Sequence, residues 1–590
     1  MLRPQKNNYR EIYDITGLWK FKADPEKIGE NEKWYQNNNF STDIAVPGSW
    51  NEQLEAEGMI HYVGTAWYSH QFFIPENYAD KKIWIRFDSV DYFSKLWING
   101  ELIGENNGGF LPFDFEITKY LKLGSKNKLT LLVNNELSCD TIPQGITQKE
   151  YAEEGRLREE TFPGARFDFS PYGGIHRPVK IYTTPKQFVT DIKIDTEILS
   201  SDRGKVKIEV SLSDGTADTL NIQMLGKDDA AVKSFAVSNN AVKAEFEIEN
   251  CEFWCCENPF LYELQLELLE NNSIVDSYET KFGVREIKVE GTKLLLNNKE
   301  VFLKGYGKHE DFQVLGKALN MAVLVKDFSL MKWTNANSFR TSHYPYAEEW
   351  LDYADENGFL VIDEVPAVSL DFRRTTEKTL EHHKEFLRKL ITRDKNHPCV
   401  IMWATGNEPN IVAEPSYYNG SGEKYWKEIY EYTKSMDPRP ITVPNCQRAG
   451  RNDPAFTYSD VLSLNRYFGW YENPGKLDEA IARMDDEMDA IAGLYGKPMI
   501  ITEFGADTMA GFHSVGDQMF TEEYQSNLLE RYCRLIESKD YTCGEHVWNF
   551  ADFKTPQHVK RVVNNLKGVF TRTRDPKLAA FTLKKIWGEK

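Results

Sequence analysis

Two glutamates follow short apolar runs in the second half of this 590-residue chain. Glu408 comes just after the run 400–403 in VIMWATGNEP, and Glu503 ends the run 498–502 in PMIITEFG. A pair of carboxylates that face one cavity can cleave a glycosidic bond, because one group protonates the leaving oxygen while the other attacks the anomeric carbon. Either glutamate alone could equally form a salt bridge to a neighbouring loop, so the prediction depends on a fold that brings the two together.

The elements around these glutamates predict a parallel barrel. After about residue 285, brief apolar runs alternate with helical patterns such as TEKTLEHHKEFLRKLITRD; the runs are VFLKG, FLVIDE, VIMW, PITV, VLSLN, PMIITE and GEHVWNF. Strand and helix repeated about eight times are typical of a (β/α)8 TIM barrel, whose catalytic groups stand at the carboxyl ends of the strands. Counting strands places Glu408 after the fourth and Glu503 after the seventh. Their separation of 95 positions agrees with three βα units of roughly 31 residues each.

The first half of the chain predicts β-sandwiches. Up to residue 185, short alternating runs such as KIWIRFDSV and KLTLLVNN are broken by Asn-Gly, Gly-Gly and Pro turns, which is typical of an antiparallel sandwich. Residues 186–284 continue with strands of period two at about ten-residue intervals and fit a smaller sandwich of immunoglobulin-like size. The predicted fold class is therefore multidomain β plus α/β, with units at 1–185, 186–284 and 285–590.

Composition narrows the class of partner. The net charge of −19 and the pI near 5.2 oppose binding to nucleic acid or to anionic lipid, since both require a cationic surface. The opening MLRPQKNNYR lacks an apolar core, and no stretch approaches the ~20 apolar residues of a membrane helix. The eight cysteines lack both disulfide-framework density and paired zinc spacing. We therefore expect a cytoplasmic protein with free thiols and with neither a membrane nor a nucleic-acid partner.

Motifs spread along the whole chain resemble glycoside hydrolase family 2. They include the early PGSW, GGIHRPV at 173–179, ENPFLYELQL at 257–266, KGYGKHED at 304–311, FRTSHYPY at 339–346 and DKNHP at 394–398, besides the N-E-P and T-E-F-G contexts of the two glutamates. The resemblance implies a jelly-roll domain, an immunoglobulin-like domain and a catalytic barrel that acts with retention of the β-configuration. It also implies Glu408 as general acid/base, Glu503 as nucleophile, and no cofactor for catalysis.

The segment RVVNNLKGVFTRTRDPK at 561–577 resembles the one by which β-glucuronidases of this family bind the substrate carboxylate, with Asn565 and Lys567 as the ligands. In an extended segment, residues i and i+2 project to one face, so an amide and an ammonium converge on one carboxylate through charge-assisted hydrogen bonds. A neutral sugar would leave Lys567 desolvated and unpaired, which is costly. The sequence departs from the family where Val563 and Asn564 replace expected glycines.

The resemblance implies further residues around the sugar. Asn407 would bond the sugar 2-hydroxyl, Trp548 would form an apolar floor, and Asp168 would reach in from the first domain. Tyr467 and Tyr471 would orient Glu503 and close the site, unless they are core aromatics under a loop. The predicted substrate-binding set is Asp168, His343, Asn407, Tyr467, Tyr471, Trp548, Arg561, Asn565 and Lys567.

No metal or dinucleotide is predicted. His309, His397 and His546 form no metal-ligand set, and no G-x-G-x-x-G follows a strand. Some relatives without a long active-site loop carry a flavin on a remote surface, which this sequence neither shows nor excludes. Few residues separate VIDEVPAVSLDF from the helix that begins near Thr375, where many relatives insert a long loop, so we expect an open cleft.

The expected activity is the retaining hydrolysis of small-molecule or oligosaccharide β-D-glucuronides to glucuronate and free aglycone by a homo-oligomer. Two enzyme alternatives of the same family are a β-galacturonidase and a β-galactosidase. A third alternative of another class is a carbohydrate-binding protein that has kept the fold without catalysis, because fold alone does not establish function.

Overall fold

Strands with alternating burial build the first two units of the protein. The computed structural model describes residues 2–37, 39–146, 161–227, 230–409 and 421–589. Within these residues the first unit pairs a six-stranded sheet with a four-stranded sheet, and three short strands form a third sheet. Its strands are Ile12–Asp14, Gly17–Asp24, Thr42–Val46, Gly48–Ser49, Thr65–Ile74, Lys82–Phe87, Val90–Asp91, Phe93–Ile98, Glu101–Asn107, Phe113–Glu116, Ser125–Asn134, Gly174–Ile175 and Val179–Thr184.

The second unit is a smaller sandwich of a three-stranded sheet on a four-stranded sheet. Along Arg203–Leu212, every second side chain is buried, because successive side chains of a strand point to opposite faces and only one face meets the other sheet. The strands are Val189–Ile198, Arg203–Leu212, Thr219–Leu225, Ala230–Ala236, Ala241–Glu249, Tyr262–Glu270 and Ser273–Phe282.

A closed parallel barrel forms the third unit, and the predicted fold class is confirmed. The barrel strands are Leu303–Gly307, Ser338–Arg340, Leu360–Glu364, Val400–Ala404, Ile441–Thr442 continued by Pro444–Asn445, Leu462–Asn465, Met499–Glu503 and Thr542–Val547. Apart from the half-buried Lys304 on the first strand, they are buried along their whole length, since helices cover one face and interior side chains cover the other. Continuous apolar runs therefore mark these strands in the sequence.

Helices and short antiparallel strands surround the barrel. A three-stranded sheet of Ile287–Glu290, Lys293–Leu296 and Lys299–Glu300 precedes it, and Phe553–Lys554 pairs with Asn564–Asn565 after the eighth strand. The helices are Met321–Trp333, Glu348–Asn357, Glu377–Asp394, Ser421–Met436, Leu477–Tyr495, Glu522–Glu537 and Leu578–Gly588. No helix in the described ranges is long and apolar enough to cross a membrane.

The first unit also reaches the mouth of the barrel. The backbone of Phe162 pairs with Gln557, which lies beyond the eighth barrel strand, and Arg166 donates to Asp371 at 2.7 Å. These contacts place residues 161–170 beside the carboxyl ends of the barrel strands. A pocket there is lined by two units of the chain.

Candidate active site

A pocket of about 1010 Å³ lies at the carboxyl ends of the barrel strands. Glu408 follows the fourth strand and Glu503 ends the seventh, as the strand count predicts. Among the described residues that line this pocket are ten of the eleven predicted site residues: Asp168, His343, Asn407, Glu408, Tyr467, Tyr471, Glu503, Trp548, Arg561 and Asn565. Lys567 is the exception, with 1% of its surface exposed.

Glu503 is held by two donors on its two carboxylate oxygens. Arg340 donates from Nη2 to Oε1 at 2.5 Å, and Tyr467 donates its hydroxyl to Oε2 at 2.7 Å. Burial raises the pKa of Glu503 to about 8, with Arg340 opposing and the neighbouring Glu408 adding to the rise. A fixed, buried carboxylate with both oxygens bonded is oriented for attack along one direction.

Glu408 has a different environment. Its Oε1 accepts from the Asn465 amide at 2.9 Å, which is a neutral donor. Burial raises the pKa of Glu408, and the hydrogen bond from Asn465 only partly opposes that rise. Its φ of 44° lies in the left-handed region, which costs a residue with a Cβ about 1–2 kcal/mol and recurs at functional sites.

The two environments decide where a shared proton resides. Two neighbouring carboxyl groups that repel each other, in a site that is mostly shielded from water, retain one proton near neutral pH. The guanidinium of Arg340 and the hydroxyl of Tyr467 bind the carboxylate of Glu503 directly, whereas Glu408 accepts a hydrogen bond from the neutral amide of Asn465. These contacts favour an ionised Glu503 and a proton on Glu408, which is the state that a general acid needs, and they oppose the rise that burial causes in the pKa of Glu503.

Asp168 and Arg561 join the first unit to the barrel at one corner of the pocket. Arg561 donates from Nη2 to Asp168 Oδ2 at 2.6 Å and to the Tyr471 hydroxyl at 2.8 Å. Asn565 donates to the same Asp168 oxygen at 2.9 Å. The two predicted tyrosines thus have different partners: Tyr467 contacts Glu503, while Tyr471 contacts the cations of this corner.

Lys567 is not unpaired in this corner, which corrects the sequence-based reasoning. Its ammonium forms an ion pair with Asp507 and donates to the Tyr471 hydroxyl at 3.0 Å. Arg561 also approaches Asp507, at 3.3 Å. Burial disfavours charge on Asp507, but Lys567 and Arg561 outweigh it and hold its pKa below the ordinary value. A neutral ligand would therefore leave Lys567 with its counterion.

The Tyr471 hydroxyl has a defined hydrogen-bonding direction. Its oxygen accepts from both Lys567 and Arg561, and a phenol oxygen has two lone pairs and one hydrogen. The hydrogen is consequently left to donate, and Tyr471 lines the pocket with 45% of its surface exposed. This corner presents a hydroxyl donor, backed by two cations, to an anionic ligand.

His343, Trp548 and Asn407 complete the sugar-facing wall. His343 stacks on Trp548 with ring centroids 5.0 Å apart. The Asn407 side-chain oxygen accepts from Asn465 at 3.2 Å and from Arg340 at 3.4 Å, which leaves its amide hydrogens for a sugar hydroxyl. The ring wall and this amide match the predicted positions, and their contacts with substrate remain predictions.

Four residues of this site were not predicted from the sequence: Arg340, Glu364, Asn465 and Asp507. Three of them end barrel strands two, three and six. Glu503 was predicted because it is an ionisable side chain at the end of an apolar run. The same sequence signal, an ionisable or amide side chain at the end of such a run, is present at these three residues. Asp507 follows the seventh strand in a loop, where the sequence carries no comparable signal.

Val563 has a φ of 69°, in the region that glycine favours, and its side chain is 74% exposed. Asn564 instead pairs with Lys554 in a short strand. Only the first of the two replaced glycine positions is thus strained.

Within the part of the chain that the structure describes, one cluster outside the pocket has metal-ligand chemistry: Asp355, His397 and Cys399. His397 donates to Asp355 at 2.6 Å, and although burial opposes it, this carboxylate raises the pKa of His397 to about 9. Burial raises the pKa of Cys399 as well. Asp355 and His397 form an ion pair beside the buried thiol of Cys399.

Three family descriptions match the chain end to end. The description "Glycosyl hydrolases family 2, TIM barrel domain" matches residues 287–589, the "sugar binding domain" of that family matches 12–185, and the description "Glycosyl hydrolases family 2" matches 187–285.

Curated relatives and solved structures are similar over the same length. A protein of Paenibacillus borealis named Beta-glucuronidase is 39% identical over 100% of this chain and 99% of its own. The human protein of that name is 35% identical over 99% and 92%. The crystal structure of Ruminococcus gnavus beta-glucuronidase has a TM-score of 0.92 at 35% identity and covers 100% of this chain and 99% of its own. The same enzyme in complex with D-glucuronic acid has a TM-score of 0.91 at 36% identity, over 99% of both chains.

Proposed function

Since the chain belongs to glycoside hydrolase family 2, we propose that it hydrolyses β-D-glucuronides to glucuronate and free aglycone with retention of anomeric configuration. One observation carries the proposal: the glutamate pair Glu408 and Glu503 and an anion-binding corner line the same pocket. The first can perform the cleavage, and the second can select a sugar with a carboxylate. The names of the relatives agree with both parts.

In the first step Glu503 attacks the anomeric carbon while Glu408 gives its proton to the leaving oxygen. The bond to the aglycone breaks and a glycosyl ester of Glu503 forms. Loss of the proton leaves Glu408 as a base, which then takes a proton from water as the water attacks the same carbon from the side that the aglycone left. The second displacement restores the β-configuration, and neither step requires a cofactor.

The substrate carboxylate is recognised at the corner of Tyr471, Arg561 and Asn565. The Tyr471 hydroxyl is left to donate, and the two nitrogenous side chains line the same wall. Lys567 lies behind the Tyr471 hydroxyl, to which it donates. It therefore acts on the substrate carboxylate through its positive charge and through the Tyr471 hydroxyl. Charge-assisted hydrogen bonds of this type are roughly twice as strong as neutral ones.

The aglycone side of the pocket is wide. The described chain between Glu364 and the helix that begins at Glu377 is short, and the pocket volume of about 1010 Å³ far exceeds the space of one sugar ring. We propose that both small-molecule and oligosaccharide glucuronides are accepted. A cytoplasmic location and a homo-oligomeric state remain predictions.

Three rivals are separated by one panel of chromogenic substrates. The purified protein is assayed with p-nitrophenyl β-D-glucuronide, β-D-galacturonide, β-D-galactoside and β-D-glucoside, each at several concentrations. We expect the highest kcat/KM for the glucuronide. Faster turnover of either galacto-configured substrate would overturn the sugar assignment, and no turnover of any of them by a folded protein would favour the binding-protein alternative.

A further inference from the structure

Glu364 is a third carboxylate near the pocket, in contact with Arg340 and His343, and neither its sequence motif nor the mechanism above gives it a role. It ends barrel strand three and is fully buried. Its Oε2 accepts from Arg340 Nη1 at 2.5 Å, and its Oε1 accepts from His343 Nδ1 at 2.7 Å. The other amino group of the same guanidinium binds Glu503. One arginine therefore bridges Glu364 and the proposed nucleophile.

The contact with Glu364 also fixes the tautomer of His343. In its ionised form Glu364 only accepts hydrogen bonds, and it lies 2.7 Å from His343 Nδ1, closer than the Arg340 Nη1 donor at 3.3 Å. With Glu364 ionised, the imidazole therefore carries its hydrogen on Nδ1. Burial lowers the pKa of His343 well below its ordinary value, and the ring is neutral. Its Nε2 then has a lone pair and lies 3.8 Å from Glu503 Oε1. That atom can accept from a sugar hydroxyl and does not compete with Arg340 for the nucleophile.

We infer that Glu364 is a positioning residue for the reaction: it holds Arg340 against Glu503 and keeps His343 in the tautomer whose unprotonated Nε2 faces the sugar. The inference rests on the proposed function for the identity of the nucleophile. A partner carboxylate that orients a histidine and fixes its tautomer is known from metal and catalytic sites. Here the same carboxylate also binds Arg340, whose guanidinium donates to both Glu364 and Glu503.

A purely structural buried ion pair would predict different behaviour. The charged or titratable groups that face Glu503 are Arg340, His343, Tyr467 and Glu408. If Glu364 becomes neutral, the charge of Arg340 is no longer shared, so the Glu503 carboxylate is stabilised and becomes a weaker nucleophile. The pKa of Glu503 then falls. A structural role alone changes stability without moving that titration.

The experiment compares Glu364→Gln with Glu545→Gln. Glu545 lies on barrel strand eight, is also fully buried, and accepts from Trp587 at 2.6 Å. Burial raises the pKa of Glu364 and of Glu545 alike to about 7. Glu545 does not line the pocket among the described residues. It therefore reports the effect of the amide substitution in the barrel without the contacts to Arg340 and His343.

We expect Glu364→Gln to lower kcat by up to about tenfold with little change in KM, since a Glu503 carboxylate whose pKa falls by about one unit attacks more weakly. The acid limb of the kcat/KM profile should move to lower pH by about one unit. Profiles are measured on whichever p-nitrophenyl glycoside the wild type hydrolyses fastest, so that a failed sugar assignment does not affect the result. An acid limb that stays in place, or that moves equally in Glu545→Gln, would overturn the inference.

A second measurement needs no activity. In Glu364→Gln the side-chain oxygen must face Arg340, so the amide hydrogens face His343 Nδ1 and force the ring hydrogen onto Nε2. Nitrogen-15 NMR of labelled histidine, assigned with His343→Gln, should show a neutral ring protonated at Nδ1 in the wild type and at Nε2 in Glu364→Gln. A wild-type ring protonated at Nε2 would refute the inference even if the variant did not fold.

Discussion

Replacement of Lys567 by Met tests whether this lysine makes the enzyme selective for a sugar that carries a carboxylate. The change keeps the length of the side chain and removes its charge, while Asp507 retains Arg561 at 3.3 Å and the Leu566 backbone N–H at 2.9 Å. The buried carboxylate is thus still bonded, and the pocket wall of Tyr471 and Asn565 stays in place. We expect glucuronide turnover to fall and turnover of the neutral glucoside to stay near its starting value.

The magnitude follows from the position of the ammonium. Lys567 Nζ lies 3.0 Å from the Tyr471 oxygen, and a substrate carboxylate that accepts from this hydroxyl adds roughly 2.7 Å. Two unit charges about 5 Å apart interact by about 3 kcal/mol at an effective dielectric constant of about 20. The ratio of kcat/KM for p-nitrophenyl β-D-glucuronide to that for the glucoside should therefore fall about a hundredfold.

Lys308→Met is the matched control. Lys308 is fully buried and shares Asp327 with Arg574, at 3.2 and 2.7 Å, as Lys567 shares Asp507 with Arg561. Both variants should lose stability, by up to about 3 kcal/mol, but only Lys567→Met should change the substrate ratio. Equal losses for glucuronide and glucoside in Lys567→Met would show that the lysine supports the fold and does not select the sugar.

Four further substitutions test other parts of the structure. Glu408→Ala should slow phenyl glucuronide far more than 2,4-dinitrophenyl glucuronide, because only the poorer leaving group needs the proton; equal losses would count against the acid role, and Glu503→Ala should leave no glycosyl-enzyme detectable by mass spectrometry after denaturation. Since the pKa of Glu545, raised by burial to about 7, lies above its unfolded value, its contribution to stability is present below about pH 4.5 and is lost as pH rises through 7. The melting temperature of Glu545→Gln relative to wild type should therefore increase between pH 5 and 8, and a constant difference would contradict the raised pKa. Val563→Gly should relieve the left-handed strain of an exposed side chain and raise stability by up to about 1 kcal/mol, whereas a lower melting temperature would show that the valine makes a stabilising contact.

The fold was predictable because its two kinds of sheet leave different patterns in the sequence. Sandwich strands such as Arg203–Leu212 alternate with period two, since one face is solvated. Barrel strands such as Leu360–Glu364 are buried on both faces and read as continuous apolar runs. The lengths between those runs then fix the strand count, and the count places Glu408 and Glu503 on one rim.

The contacts within the site were less predictable. Arg340 and Asn465 stand at strand ends like the two glutamates, but a strand-end position does not show which group a side chain binds. The pairing of Lys567 with Asp507 joins two loops across 60 positions, and no periodicity connects them. The motif identifies the lysine and not its counterion, so the charge of Lys567 looks unbalanced from the sequence alone.

That counterion changes how the corner discriminates between sugars. Arg561 and Lys567 are already matched by Asp168 and Asp507, so a neutral sugar does not leave a buried cation unpaired and incurs little penalty for that reason. The selectivity must then come from what the glucuronide gains, namely the Tyr471 hydroxyl and the amide of Asn565 beside two cations. Arg561 and Lys567 are thus stabilised by carboxylates before any substrate binds. They can still attract a substrate carboxylate at close range, because the Tyr471 hydroxyl and the Asn565 amide are donors in this corner, whereas Asp168 and Asp507 already accept hydrogen bonds from protein groups. It follows that loss of Lys567 should lower kcat/KM for the glucuronide without raising it for the glucoside, since Asp507 already balances the charge of Lys567 when a neutral substrate binds.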